Sequence, residues 1–555
     1  MKQVISILYE LAERGGGVTR VSLGRTSALA EAGLNARIAV LGFDEQLEGT
    51  IRNLVEQGRI PKSLNILNFY KWFSHKATSF LGGKGVETGP SVVEHLQVKV
   101  RRRTDHINGS NFSVNRYMTA GGYIYMEEFC ERLNGVVMVV ISMPGQRPLK
   151  FNSMDSVHAY WLKCLSVECL PSYLVADSIG AADAVCMVEG ADIYRVLMMH
   201  SNHLLRPFVV GGDIAPKYHG VIRGIPFCDR LVLLTQGQLQ DVSQQFPSGR
   251  YSVIGNLVTL GPQDQVVVRE DHLAVIVSRL HGVKRIKSMI KAFTKVVAKN
   301  ADARLEIWGD GDQENEVGEY ILKLEAQDSI KLMGFATDVS RIFRRASVSL
   351  GMSVTEGFGI SFAESLGYGT PLVSTRTNYG PAEIVTDGED GFIVDSENEF
   401  VEKIDRLLRD PDLVSSMGKK GALSVRRFTS ESITKCWLDL FDELASDSTG
   451  RQYHSAPKDT AIQNQVSSKV GWIYLPKIAG DASAEIYMSA RKVLVVEVSS
   501  GREFLGEITR VPLGMYEIDE MVLDEVKGRY RFRLMKEGKS FRGVVVSYAL
   551  KFVLF

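Results

Sequence analysis

Two carboxylates flank a glycine turn in the segment Thr355-Glu-Gly-Phe-Gly-Ile-Ser-Phe-Ala-Glu364. Glu356 falls in the turn, where its carboxylate can reach a ligand, and the run from Ser361 to Glu364 fits the Ser-x-x-Glu capping box that opens a helix. A strand, a glycine turn and a helix N-terminus together bring backbone N–H groups up to an anionic or hydroxyl-rich ligand. The segment therefore predicts a ligand site around Glu356, with Glu364 either a helix cap or a second contact.

Two short apolar runs supply the strands that would position this chemistry. Residues 346–353 are small and apolar enough for a buried strand of a parallel sheet, and Leu273 to Val277 forms a second such run. Arg279 and Lys284 follow the second run and offer a guanidinium fork and a point charge for anionic oxygens. Taken alone, the two cations would be an ordinary solvated pair. Their place after a buried strand and before the Glu356 turn favours an anion site.

In this order, the segments resemble the retaining family-4 glycosyltransferases of the GT-B fold. Glu356 and Glu364 look like the family's E-x7-E motif, Arg279 and Lys284 look like its Arg-x4-Lys pair, and residues 380–394 resemble the segment after the motif. The resemblance implies an α/β protein of the GT-B fold, in which two Rossmann-like domains face a cleft.

The resemblance also implies roles for these residues. Arg279 and Lys284 would hold the donor diphosphate, Glu356 would contact the donor sugar, and Glu364 would contact the ribose of the nucleotide. Sugar hydroxyls and phosphate would meet the turn and the helix N-terminus at Gly357, Phe358, Gly359 and Ile360. Retention in the family is attributed to front-face attack assisted by the leaving phosphate, so a nucleophile pair at glycosidase spacing is not required.

The first domain is expected to contribute a histidine and a glycine loop. His200 and His203 follow a buried strand, at whose end the family places a catalytic-pocket histidine; His200 matches best and His203 second. A lone histidine at a strand end is otherwise often structural. The loop from Arg14 to Val18 faces the cleft in GT-B enzymes, which makes Gly16 and Gly17 candidate donor contacts. A tight strand-to-helix connection is the simpler alternative for this loop.

A possible metal motif occurs at Asp310-Gly-Asp312. Two carboxylates alone do not make a divalent-cation site, which takes more oxygen ligands. The motif follows Trp308 and Gly309, in a turn that GT-B enzymes use close to the nucleotide without metal. We therefore expect a solvated turn, no metal and no cofactor, with a UDP-sugar as co-substrate.

Turn residues and hydrophobic alternation divide the chain into domains. A meander of short strands would interrupt the first domain. Its length and position resemble the extended β-sheet insertion of a narrower group of enzymes: the poly(glycerol-phosphate) α-glucosyltransferases, the wall teichoic acid α-glycosyltransferases and the Ser/Thr glycosyltransferases of serine-rich adhesins. The predicted parts are 1–75 and 171–262 (N-terminal Rossmann-like acceptor domain), 76–170 (antiparallel β insertion), 263–446 (nucleotide-sugar-binding domain with a return helix), 447–468 (linker) and 469–555 (small C-terminal β domain).

Composition excludes some classes of function. The chain has 65 Lys plus Arg and 65 Asp plus Glu, so its charge gives no reason to expect nucleic acid as a partner. Its six cysteines form no C-x-x-C pair, which favours buried thiols in a reducing compartment. No signal-length apolar core or membrane-length apolar run is present. We expect a cytoplasmic protein, with peripheral attachment to the inner face of the cell membrane left open.

The leading functional hypothesis is a retaining hexosyltransferase that moves glucose or N-acetylglucosamine from a UDP-sugar to poly(glycerol-phosphate), poly(ribitol-phosphate) or another wall teichoic acid. The run Lys99-Val-Arg-Arg-Arg103 could meet such a polyanion, although a charged edge strand is the simpler explanation. The alternatives are O-glycosylation of serine-rich adhesins and a non-catalytic acceptor-binding partner subunit; the complete donor motif set disfavours the latter. Self-association through the insertion predicts a homo-oligomer, specifically a trimer.

Overall fold

A computed structural model describes residues 2–13, 16–81, 98–106, 112–132, 135–258, 260 and 267–447. Beyond these it describes seven strands between Gly471 and Val553. Strands and helices alternate over residues 2–81, as a parallel sheet requires, and the first strand is buried along its whole length. The elements are β1 (Gln3–Leu8), α1 (Gly17–Glu31), β2 (Asn35–Val40), α2 (Leu47–Glu56), β3 (Asn65–Asn68) and α3 (Phe69–Leu81).

The predicted insertion is an antiparallel meander. Its strands, adjacent in chain order, are β4 (Arg101–His106), β5 (Phe112–Met118), β6 (Ile124–Glu131), β7 (Gly135–Ile141) and β8 (Leu149–Phe151). A buried carboxylate fastens this sheet to α3: the hydroxyls of Tyr70 and Tyr117 donate to Glu128 at 2.8 and 2.9 Å, and the Asn115 amide donates to it at 3.1 Å. Because Tyr70 belongs to α3 while Tyr117 and Asn115 belong to β5, these hydrogen bonds hold the inserted sheet against the first domain.

We had predicted an antiparallel β insertion over residues 76–170, but this range also contains helical residues at both ends. Helix α3 continues to Leu81, and α4 (Met154–Ser166) buries Trp161 and Leu165 in the core of the first domain. The Ser153 hydroxyl caps α4 by accepting the Ser156 N–H at 3.1 Å. The strand predicted at residues 92–100 lies outside the described residues up to position 97, and residues 98–100 are not in a strand.

After α4 the chain returns to the first sheet. The added elements are β9 (Ser172–Ala176), α5 (Ala182–Cys186), β10 (Ile193–Met199), α6 (His219–Gly224), β11 (Arg230–Leu233), α7 (Gln236–Gln245) and β12 (Tyr251–Val253). The strand order is β12-β11-β10-β9-β1-β2-β3, with all neighbours parallel. Because β9 and β10 are neighbours, the residues after their carboxyl ends, Asp177 and His200, lie side by side.

A second parallel sheet, in the order β15-β14-β13-β16-β17-β18, forms the second Rossmann-like domain. A final helix, α15, packs back on the first domain, where the Tyr173 hydroxyl donates to the Phe441 carbonyl at 2.8 Å; the return helix predicted from the sequence is therefore present. The elements are β13 (Leu273–Val277), α8 (Ile286–Val297), β14 (Arg304–Trp308), α9 (Glu314–Lys323), β15 (Ile330–Gly334), α10 (Val339–Arg345), β16 (Val348–Gly351), α11 (Ile360–Gly367), β17 (Leu372–Thr375), α12 (Gly380–Ile384), β18 (Gly391–Val394), α13 (Glu397–Arg409), α14 (Pro411–Ser424) and α15 (Ser430–Ser446).

Residues 454–555 belong to a separate unit. Its described strands pair antiparallel in the order β24-β23-β22-β21-β20-β19-β25, so the β content predicted for this part is confirmed. The strands are β19 (Gly471–Tyr474), β20 (Glu485–Ser489), β21 (Lys492–Val495), β22 (Gly514–Asp524), β23 (Arg529–Lys536), β24 (Lys539–Val546) and β25 (Lys551–Val553).

Two expectations from composition can be compared with the structure. Among the described helices, none combines the length and the apolar character needed to cross a bilayer. The six cysteines are free thiols, as expected. Only Cys186 and Cys228 are buried, and Cys436 is exposed on α15, so the expectation of uniformly buried thiols was wrong.

Candidate functional site

The loops after β13 and β16 bring the predicted cation and carboxylate together. These strands are neighbours in the second sheet, so both loops leave the same edge. The Lys284 ammonium forms an ion pair with the Glu356 carboxylate, and the Ser353 hydroxyl donates to the same carboxylate oxygen at 2.7 Å. Only 9% of Glu356 is exposed. The two predicted residues, 72 positions apart in the sequence, therefore meet as an ion pair.

Arg279 lies beside the turn that carries the two aspartates. The Leu280 N–H donates to the Asp310 carbonyl at 2.7 Å, and a Cβ on Gly309 would lie 1.8 Å from the Ser278 carbonyl oxygen. The turn thus needs glycine to pack against the Arg279 loop. No group of three or more His, Cys, Asp or Glu side chains suited to a metal occurs in the described part of the chain. The expectation that the reaction needs no metal stays a prediction.

The helix after the Glu356 turn does not begin with the predicted capping box. Helix α11 begins at Ile360, its N-cap is Gly359 at φ 94°, and no side chain caps it. Ser361 is already helical, because glycine takes the left-handed conformation of the cap position and places the start earlier.

Glu364 serves a different purpose from capping. It is 1% exposed, and its carboxylate forms an ion pair with Arg20 on α1 of the first domain. Burial raises the pKa of Glu364, and the Arg20 guanidinium opposes that rise. The pair therefore joins the two Rossmann-like domains at the predicted nucleotide site.

The N-termini of α1 and α11 lie against each other. A Cβ on Gly17, the first residue of α1, would lie 3.5 Å from Cδ1 of Ile360, the first residue of α11. The N-cap of α1, Gly16, is exposed and provides no side-chain cap. Because uncapped helix N-termini present free N–H groups and positive partial charge, this boundary favours an anion.

Gly357 and Phe358 set the position of the turn. A Cβ on Gly357 would lie 2.1 Å from the His200 carbonyl oxygen, so the turn packs directly on the end of β10. Phe358 is buried, and its ring meets Phe428 edge to face with centroids 5.0 Å apart. The Phe358 side chain is therefore an anchor, which leaves only its backbone for a ligand.

The two candidate histidines have different surroundings. His200 Nε2 lies 3.0 Å from Asp177 Oδ1, and its backbone borders the Gly357 turn. His203 has no exposed surface, and burial lowers its pKa to about 4. Its ring lies nearly parallel to that of Tyr379, with centroids 6.4 Å apart. The geometry favours His200 as the cleft residue; donor contacts by either histidine stay predictions.

Three residues of this site were missed by sequence reasoning: Arg20, Ser353 and Asp177. Asp177 follows β9 directly, so a search for polar residues at strand ends would have found it. Arg20 lies in the first turn of the helix after the glycine loop, and this position beside a candidate donor contact could have marked it as a site residue. Ser353 is an ordinary serine in the sequence, and only its contact with Glu356 distinguishes it.

Comparisons with known proteins agree with this geometry. Residues 262–423 match the family of glycosyl transferases group 1. The chain is 21% identical over 496 residues to a poly(ribitol-phosphate) alpha-N-acetylglucosaminyltransferase of Staphylococcus aureus, which covers 80% of this chain and 100% of that protein. It is 22% identical over 545 residues to a poly(glycerol-phosphate) alpha-glucosyltransferase of Bacillus subtilis, covering 84% of this chain and 80% of that protein.

Solved structures show the same fold. The crystal structure of TarM, 19% identical, superposes with a TM-score of 0.63 over 80% of this chain and 99% of that chain. The pneumococcal O-GlcNAc transferase GtfA in complex with UDP and GlcNAc, 16% identical, gives a TM-score of 0.59 over 80% of this chain and 99% of that chain. The predicted GT-B fold is confirmed. The chain carries a glycosyl transferases group 1 domain, and the predicted enzyme class, a hexosyltransferase, is confirmed.

Proposed function

We propose that this hexosyltransferase moves glucose or N-acetylglucosamine from a UDP-sugar to a polyol-phosphate polymer, with retention of the α configuration. The observation that carries the proposal is the contact between the N-termini of α1 and α11, with Arg279 and Lys284 on the loop after β13. Free N–H groups and two cations suit a diphosphate whose charge grows as the sugar leaves. Diphosphate departure is the step that such a site would assist.

The charged pairs define how the donor would fit. The Glu356 carboxylate accepts hydrogen bonds from Lys284 and Ser353, so the donor sugar would engage a carboxylate in a fixed position. The Lys284 ammonium has three N–H donors and can bind a phosphate oxygen as well. The ribose would meet Glu364, whose partner Arg20 holds the buried carboxyl in place at the domain boundary and opposes the rise in its pKa that burial causes. The leaving phosphate would take the acceptor proton, as the family resemblance implies.

The insertion would contribute the acceptor surface. Its outer strand β4 carries three consecutive exposed arginines. The Arg103 guanidinium donates to Asp105 at 2.7 Å, and Arg102 lies 5.8 Å from the ring centroids of Phe43 and Tyr117. These contacts hold the cations in place at the sheet edge. Arg101 and Arg103 share one face of the strand and Arg102 lies on the other, so the edge is basic on both faces. A polymer with one phosphate per repeat is the acceptor that such a basic edge would attract.

Protein O-glycosylation is the second candidate. A UDP-N-acetylglucosamine–peptide N-acetylglucosaminyltransferase GtfA subunit of Streptococcus gordonii is 23% identical over 388 residues, covering 64% of this chain and 75% of that protein. The basic strand favours the polyanionic acceptor over a serine-rich peptide. A non-catalytic acceptor-binding subunit is disfavoured, because a binding module has no need of the full set of predicted donor residues, Glu356, Glu364, Arg279 and Lys284.

A transfer assay with both acceptors separates these functions. The protein is incubated with radiolabelled UDP-, GDP- or ADP-sugars and with poly(glycerol-phosphate), poly(ribitol-phosphate) or a serine-rich peptide. We expect label from UDP-glucose or UDP-N-acetylglucosamine in a polyol-phosphate, with an α linkage by NMR and full activity in EDTA. Transfer to the peptide alone supports the second candidate, and a β linkage would contradict retention. Loss of activity in EDTA with recovery on magnesium would restore Asp310 and Asp312 as metal ligands.

A further inference from the structure

A buried polar cluster lies directly behind His200. Asp177 is 1% exposed, and its carboxylate accepts hydrogen bonds from Arg25, Ser22 and His200. The Arg25 guanidinium also lies 4.7 Å from the ring centroid of Trp437 on the return helix. The cluster therefore connects α1, the ends of β9 and β10, and α15.

The hydrogen bonds of Asp177 occupy its whole acceptor capacity. Arg25 donates to Oδ1 at 3.0 Å and to Oδ2 at 2.5 Å, Ser22 donates to Oδ2 at 2.8 Å, and His200 Nε2 lies 3.0 Å from Oδ1. A carboxylate has about four lone-pair sites, so no other donor can be added. Burial would raise the pKa of Asp177, but Arg25 and His200 outweigh burial and hold it well below its ordinary value. Asp177 is therefore an ionised carboxylate with a fixed orientation.

An ionised carboxylate can only accept, which fixes the proton of His200. Its partner nitrogen, Nε2, must carry the hydrogen, so the neutral ring has Nδ1 as a bare acceptor. Nδ1 is buried and has no hydrogen-bond partner among the described residues. Leaving a buried acceptor without a hydrogen-bond partner disfavours the folded state. Nδ1 belongs to a side chain at the boundary where the Gly357 turn meets β10.

We propose that Asp177 is a positioning residue that locks His200 in the Nε2–H tautomer, so that Nδ1 accepts a hydrogen bond from one hydroxyl of the donor sugar. The inference rests on the proposed function for the identity of the ligand. To that function it adds Asp177 as a positioning residue, Nδ1 of His200 as the contacting atom, and a hydrogen bond that the sugar hydroxyl donates. His200 is then an acceptor that selects a hydroxyl, and it transfers no proton in the reaction.

Neutralising Arg25 is the other role open to Asp177. That role would be complete with the two Arg25 bonds, and it would leave the His200 tautomer without consequence for the substrate. The two roles therefore differ in what the substitution Asp177→Asn does to recognition of individual sugar hydroxyls. An asparagine amide can donate to Nε2, which would move the ring proton to Nδ1 and remove the acceptor.

The tautomer can be measured in the wild-type protein without any donor. The chain contains 10 histidines, so ¹⁵N-histidine labelling with a His200→Gln variant assigns the His200 signals. At pH 8 we expect Nε2 protonated and Nδ1 bare. A protonated Nδ1 would overturn the proposal, whatever reaction the enzyme catalyses. This measurement holds even if Asp177→Asn fails to fold.

Hydroxyl recognition is tested with analogues of the preferred UDP-sugar, each lacking one hydroxyl. In the wild type, removal of the recognised hydroxyl should lower kcat/KM about tenfold, the size of one hydrogen bond. Asp177→Asn and His200→Gln should abolish that one penalty and leave the others, whereas Ser22→Ala, which removes a bond to the other carboxylate oxygen, should keep it. An unchanged penalty in Asp177→Asn refutes the positioning role. A wild type inactive with every donor refutes the proposed function instead and leaves the tautomer result standing.

Discussion

Replacing Gly357 with alanine tests how tightly the donor turn is set against the first domain. A Cβ at this position would lie 2.1 Å from the His200 carbonyl oxygen and 2.7 Å from the Ser201 Cα. Carbon and carbonyl oxygen approach no closer than about 3.3 Å in favourable contacts, so the turn must retreat by about 1 Å. A misplacement of that size costs about 100-fold in rate, which is about 2.7 kcal/mol in the barrier. We therefore expect Gly357→Ala to lower kcat/KM about 100-fold.

The assay compares this variant with a matched glycine-to-alanine control in the same domain. Gly318 lies in α9, and a Cβ there would meet no heavy atom within 4 Å. Gly318→Ala should keep full activity and gain up to about 1 kcal/mol of stability from helix propensity. Steady-state transfer kinetics are combined with thermal unfolding, so that misplacement of the turn is distinguished from unfolding.

The reasoning would be refuted by a Gly357→Ala enzyme whose kcat/KM stays within about threefold of the wild-type value. That result would mean that the turn and the end of β10 can separate without disturbing the site. A loss of activity shared by Gly318→Ala would instead point to a general effect of the substitutions. A loss accompanied by unfolding at the assay temperature would assign Gly357 to the stability of the domain boundary rather than to catalysis.

Four further predictions follow from the same structure. Glu356→Gln should lower transfer at least about 100-fold while thermal unfolding stays near wild type, and activity within tenfold of wild type would exclude its catalytic role. Arg279→Ala and Lys284→Ala should each weaken UDP binding about tenfold by calorimetry; unchanged affinity in both would move the phosphate site elsewhere. Burial lowers the pKa of His158 from 6.5 to about 3, so this ring stays neutral in the folded state while in the unfolded state it gains a proton as pH falls below 6.5; the stability of the wild type relative to His158→Phe should therefore fall by about 1.4 kcal/mol per pH unit below 6.5, measured in urea titrations at pH 6.5 and 5. Light scattering should show a trimer for the intact protein and smaller species when residues 98–151 are replaced by a short linker; a monomeric intact protein would contradict assembly, and an unchanged oligomer would point to the C-terminal strands.

Local patterns were enough to predict most of the framework. Apolar runs such as Leu273 to Val277 predicted strands, because strands buried on both faces of a parallel sheet need a continuous apolar sequence. The helix α4 was missed although Val157, Trp161 and Leu165 recur at the helical spacing of four, because the segment around it is dominated by short strands. The helix start at Ile360 was missed because a capping motif competed with Gly359, whose left-handed conformation cannot be read from its neighbours.

The sequence by itself determined the chemistry available to this protein. Motif order marked Glu356, Lys284 and Arg279 as candidate donor contacts, since the type and spacing of such groups are local properties of strand ends and turns. It also determined the fold class, because alternating strands and helices leave few arrangements that bury every apolar face.

Only the tertiary structure decided how the charges are paired. The partners of Glu364 and Asp177 lie 344 and 152 residues away, on a helix of the first domain. The Glu364–Arg20 pair depends on how the two Rossmann-like domains approach each other, and the Asp177–Arg25 pair depends on how α1 packs on the first sheet. In both cases the charge carries no local signal of its partner. The tautomer of His200 depends on the same long-range packing, because a neighbouring strand supplies the carboxylate that fixes its proton.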